Sequence, residues 1–105
     1  MALPTMTSEQ REQALAKAAA ARQERAELKG RLKRGEITLT EVIYTEDEVI
    51  ARMKVSEVLG SLPGVGKVRA GQIMQRCGIA EGRRIRGLGP VQRAALEDEA
   101  ALAAA

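Results

Sequence analysis

An all-α fold is predicted by three features of the sequence. Apolar residues recur at helical spacing, as in Ala70, Ile73, Met74 and Cys77, and no stretch alternates as a half-buried strand would. Thr7 with Gln10, and Thr38 with Glu41, stand at the separation of capping boxes. Glycine and proline fall between the periodic segments, at Gly35, Pro63-Gly64, Gly78 and Gly89-Pro90. The architecture they imply is a long N-terminal helix followed by a small helical domain.

Taken in order, the first half dozen residues are expected to be disordered. Thr7 then caps a helix from Ser8 to about Arg34, in which Ala14–Ala21 is almost all strong helix former. Its apolar stripe of Leu15, Ala18, Leu28 and Leu32 is narrow. A largely solvated helix is expected, docked by its C-terminal part, loosened near Gly30 and stopped by Gly35. Thr38 and Glu41 open a short helix that buries Leu39, Val42 and Ile43. Asp47-Glu48 open another short turn, carrying Val49, Ile50 and Met53. Val55, Val58, Leu59 and Leu62 place a helix over about Lys54–Ser61, ended by Pro63-Gly64. The helix bearing Ile73 and Met74 ends with Gly78 at C′. A loop over Ala80–Gly89 follows. Gly89 as N-cap and Pro90 at the first helical position start a last helix to about Leu102, docked by Val91, Ala94, Ala95 and Leu96. Residues 1–35 therefore form the disordered start and the basic Ala-rich helix, and residues 36–105 the compact domain.

Composition excludes several functions. Tyr44 is the only aromatic among 105 residues, so the core is aliphatic and small, and single-strand binding by base stacking is disfavoured. One cysteine, Cys77, and no histidine leave neither a disulfide framework nor a Cys/His zinc site, and no cofactor is expected. Cys77 reads as a small hydrophobe on a packing face. No apolar run has membrane-spanning length, and Met1-Ala2-Leu3-Pro4 lacks the features of a signal peptide, which points to the cytoplasm. The net charge of +3 is unevenly spread. Residues 8–35 carry eight Lys/Arg against four Asp/Glu, and residues 53–89 carry seven against two. Residues 36–52 are acidic, with five against one.

Two segments carry the chemistry. In Leu62-Pro63-Gly64-Val65-Gly66-Lys67-Val68-Arg69-Ala70, two glycines bracket one apolar residue just before a helix. A helix start offers free N–H groups and the positive end of its dipole to an anion, and Lys67 and Arg69 make phosphate the expected one. An ordinary αα-turn, with Gly64 ending one helix and Gly66 permitting tight packing, is the competing reading. In the second segment Arg83, Arg84 and Arg86 surround Ile85 and precede Gly87-Leu88-Gly89. An apolar anchor flanked by outward guanidinium groups suits phosphate, and a solvated charge run is its alternative. Along the first helix, Lys17, Arg22, Arg25, Lys29, Arg31, Lys33 and Arg34 either touch a further stretch of duplex or merely keep the helix soluble.

These two glycine-bearing turns separated by a helix resemble the helix–two-turns–helix module of ribosomal protein S13 and of some DNA glycosylases, here over about 54–102. With the Ala-rich start Leu15–Arg25 and Met53-Lys54-Val55-Ser56, the chain resembles the actinobacterial integration host factors over most of its length. The resemblance implies a nucleoid-associated protein that binds double-stranded DNA with little sequence preference and alters its path. It also implies effects on transcription and assistance to phage integration, with a recombinase or other nucleoid proteins as possible partners. Carried over by position, Gly64, Val65, Gly66 and Lys67 grip phosphate, with Arg69 in support. Arg83, Arg84 and Arg86 hold the backbone across a groove, Gly87, Leu88 and Gly89 shape the second turn, and Lys54 adds a contact. A monomer in solution is expected, without enzymatic activity, small-molecule substrate or membrane partner. The alternative is an S13-like RNA-binding protein, although the alanine tail Ala100–Ala105 lacks the basic extension that such proteins carry.

Overall fold

The computed structural model describes residues 6–104, and among them six α-helices. These are α1 (Ser8–Lys33), α2 (Leu39–Ile43), α3 (Glu48–Ala51), α4 (Val55–Gly60), α5 (Lys67–Arg76) and α6 (Pro90–Ala104), with a 3₁₀ turn at Ile85–Gly87. The 3₁₀ turn lies inside what the sequence reading takes for loop. The expected disordered start lies almost entirely outside the described residues.

Both halves of the α1 capping box form. Thr7 Oγ1 accepts from the Gln10 N–H at 3.1 Å, and Gln10 Oε1 accepts from the Thr7 N–H at 3.0 Å. For α2 only the Thr38 half is made, to the Glu41 N–H at 3.2 Å. Asp47 caps α3 through the N–H groups of Val49 and Ile50. Two helices end in the same device. Gly35 at φ +73° and Gly78 at φ +68° take the left-handed conformation that a Cβ disfavours. Glu36 N–H then reaches the Arg31 carbonyl and Ile79 N–H the Met74 carbonyl, so orphan carbonyls at each helix end are satisfied.

One aliphatic core joins the elements. Leu28 and Leu32 of α1 meet Leu39, Val42 and Ile43 of α2, Val55, Val58 and Leu59 of α4, and Leu96 of α6. Ile50, Met53, Ala70, Ile73, Met74, Ile79, Ile85 and Leu88 complete it. One expectation is met and two are corrected here. Leu15 is 64 % exposed, because the N-terminal half of α1 has nothing packed beside it; docking begins near Leu28. Helix α1 continues unbroken through Gly30 to Lys33, since neighbouring helix formers hold that turn. Val91 at 81 % exposure and Ala94 point outward; Leu96 and half-buried Ala95 attach α6. The long axis of 55 Å reflects α1, which at 26 residues and about 1.5 Å per residue extends well past the body.

Candidate nucleic-acid interface

The first turn is built from the end of α4. Leu62 C=O accepts the Val65 N–H at 3.1 Å, enclosing Pro63 and Gly64, with Gly64 at φ +72°. Proline then a left-handed glycine is the requirement of a type II turn. Half-buried Leu62 and Val65 pack on the core and fix the turn from beneath. Gly66 follows in extended conformation (φ −93°, ψ −176°) as N-cap of α5. The first intrahelical bond runs from Ala70 N–H to the Gly66 carbonyl at 2.9 Å, leaving the Lys67, Val68 and Arg69 N–H groups aimed outward.

The tight-packing explanation of Gly66 fails on this geometry. A Cβ at Gly64 or at Gly66 meets no atom within 4 Å. Backbone conformation alone accounts for Gly64. Gly66 is required neither by its dihedral angles nor by a neighbouring atom. Arg69 leans back over the turn, its Nη1 3.4 Å from the Gly64 carbonyl. Lys67 makes no hydrogen bond or ion pair among the described residues and lines an open cleft with Ser56, Gly60 and Ser61.

The second turn is tied to the start of α4. Val55 N–H donates to the Arg83 carbonyl and Ile85 N–H to the Met53 carbonyl, both at 3.0 Å, so Lys54 and Arg84 face each other as an antiparallel bridge. Residues thirty positions apart in the chain thereby share one edge. Buried Ile85 and Leu88 anchor the loop, and Arg83, Arg84 and Arg86 are all exposed. Two of these guanidinium groups also hold the loop: Arg83 Nη1 donates to the Gly87 carbonyl at 3.2 Å, and Arg84 Nη1 to the Arg52 carbonyl at 3.0 Å. Arg86 makes no such bond among the described residues. At the start of α6, Gln92 Oε1 accepts the Gly89 N–H at 3.2 Å while its Nε2 donates to the Gly78 carbonyl at 3.0 Å. The start of α6 is thus latched to the end of α5.

One predicted site residue, Val65, takes a part other than the expected main-chain grip, while Leu88 shapes the second turn as expected. Val65 and Leu88 turn their side chains to the core and their N–H groups to the Leu62 and Ile85 carbonyls, so they shape the turns from within. The glycines of the second turn likewise hold no spare N–H: Gly87 donates to the Arg84 carbonyl and Gly89 to Gln92. The second turn offers guanidinium groups, where the first offers main chain.

Helix α1 divides by position. Lys29 and Lys33 line a cleft with the first turn, Gly60 to Gly66, and Arg25 lines another with Arg52, Lys54 and Arg84. Arg31 faces a different cleft, among Glu24, Glu27 and Glu41, and Arg34 pairs with Glu36 at 3.0 Å. Lys17 and Arg22 stand exposed on the projecting part. Arg52 is the residue that sequence reasoning overlooks, because it ends an acidic segment; its place two residues before Lys54 was the available signal.

Cys77, half-buried beside the core, has its thiol pushed up by burial and then by the nearby Glu99 carboxylate. That is the setting of an unreactive thiol.

The model of the S13-like H2TH domain matches residues 32–100, the part that contains both turns. The integration host factor of Streptomyces coelicolor is 63 % identical over 101 residues, covering 94 % of each chain. That of Mycobacterium tuberculosis is 59 % identical over 98 residues, covering 91 % of this chain and 93 % of the relative. Among solved structures, sIHF bound to an 8-bp palindromic DNA superposes with a TM-score of 0.79 at 62 % identity, covering 81 % of this chain and 98 % of that one. The two turns and these likenesses agree: the chain belongs to the actinobacterial integration host factor family, built on the S13-like helix–two-turns–helix domain.

Proposed function

We propose that this chain binds double-stranded DNA through its sugar–phosphate backbone, with little sequence preference, and bends or bridges the duplex. The observation that carries the reading is the pairing of an open helix start at Gly66–Arg69 with exposed Arg83, Arg84 and Arg86 on a latched second turn. Main-chain N–H groups and guanidinium groups are the donors that grip phosphate without reading bases. The solved relative with DNA bound supports the choice of duplex as ligand. In this reading the protein acts as a monomer in the nucleoid, organises the chromosome, influences transcription and assists phage integration alongside a recombinase.

Anisotropy titrations of a mixed-sequence duplex over a series of salt concentrations test the core of this reading. If about five phosphates are neutralised, log K falls with log salt at a slope of roughly −4 to −5. A slope near zero, or stronger binding of structured RNA than of duplex at equal salt, would overturn it.

A further inference from the structure

The cationic surface continues beyond the two turns. Three open clefts adjoin along the seam between α1 and α4: two share Lys29, Gly60 and Ser61, and two share Glu57. Together they are lined by seven lysines and arginines. Among the described lining residues there is one carboxylate, Glu57, and it sits where the clefts meet.

Glu57 stands in the first turn of α4, where a carboxylate suits the helix dipole, but it makes no cap there. It occupies the third position of α4, from which a glutamate can reach back to cap the N-cap N–H, yet no such bond forms. Its carboxylate instead pairs with Lys29 Nζ across the seam. Both residues are half-buried, with side chains 40 % exposed for Lys29 and 36 % for Glu57, and a pair this open to solvent contributes little to stability. The nearby bond from Ser61 Oγ goes to the Glu57 main-chain carbonyl and does not depend on the side chain.

We infer that Glu57 is a built-in competitor of phosphate: it occupies Lys29 in the free protein, opposes an incoming strand, and holds DNA affinity below what the cationic seam could give. This rests on the duplex-binding reading and adds to it a residue that limits affinity. On binding, Lys29 must leave Glu57 for a phosphate oxygen, or remain paired and contribute nothing.

Glu57→Gln in the full chain tests the assignment, with the same duplex and salt series. Releasing one further lysine to phosphate steepens the salt slope by about one and tightens binding roughly five- to tenfold near 0.1 M salt. Glu57→Ala gives the same sign, and Glu57→Asp, which keeps the charge, stays near the wild-type slope. Adding Lys29→Gln to Glu57→Gln abolishes the gain. Unchanged or weaker binding by both Glu57→Gln and Glu57→Ala, with thermal melting as in wild type, would overturn the inference. A wild-type chain without salt-dependent duplex binding would instead refute the reading beneath it.

Discussion

Gly64 and Gly66 are two residues apart, and different physics selects each. Gly64 lies at φ +72°, where any side chain strains the backbone, so Gly64→Ala should destabilise the fold by about 1 kcal/mol in denaturant titration. Gly66 is extended and has open space around it. Gly66→Ser should keep or slightly raise stability, since serine is a good N-cap. It should nevertheless weaken duplex binding several-fold, because its hydroxyl takes a helix-start N–H and its Cβ obstructs approach. Unchanged affinity would remove the first turn from the site. Among the arginines, Arg86→Ala should lower affinity with stability within about 0.5 kcal/mol of wild type, as for an exposed side chain without partners. Arg84→Ala should show the same loss of affinity plus a small destabilisation, because the Arg52 carbonyl loses its donor. Sequence showed which residues are basic or glycine. It could not show that Arg83 and Arg84 also bind the protein's own carbonyls, since those acceptors are set by the folded loop.

At the level of the elements, local signals were readable where the chain's own neighbours decide the outcome. Thr7, Asp47, Gly35 and Gly78 begin or end helices through contacts within six residues, and each acts as its local chemistry dictates. Where packing decides, periodicity misleads. Val91 fits a helical stripe, but among the described residues no element lies opposite it, so it remains exposed. The Lys54–Arg84 bridge was hidden for the same reason, being a meeting of two distant loops. Leu96 tests how α6 is held. It is fully buried and attaches α6 to the body, so Leu96→Ala should cost about 2–5 kcal/mol by chemical denaturation. Loss of less than about 1 kcal/mol would mean that α6 is only loosely docked and that the second turn lacks its brace.

Across the whole molecule, charge separates into a cationic seam along α1, α4 and the two turns, and an acidic cleft among Glu24, Glu27, Glu41 and Asp47. Segment charge counts anticipated part of this polarity, but Glu24 and Glu27 fall in a basic segment and Arg52 in the acidic one, and the gathering of Arg25, Arg52, Lys54 and Arg84 needed the fold. With no histidine, no side chain of ordinary pKa changes charge between pH 6 and 8, so duplex affinity should be flat across that range. Acid acts differently on the fold. Hydrogen bonds from Arg34 and Arg76 hold the Glu36 and Glu99 carboxyls below the usual carboxylate range. Their contribution to stability is therefore complete above the unfolded carboxylate pKa and is lost as pH falls through the lower folded values. Melting curves should accordingly weaken from about pH 4 downward. The central claim is that main chain at the first turn and guanidinium groups at the second meet the duplex backbone. Backbone amide shifts of labelled protein, followed while unlabelled duplex is added, test it most directly. The largest changes are expected at Gly64–Arg69 and around Arg83–Gln92, whereas changes confined to the acidic stretch 36–52, with both turns silent, would refute that arrangement.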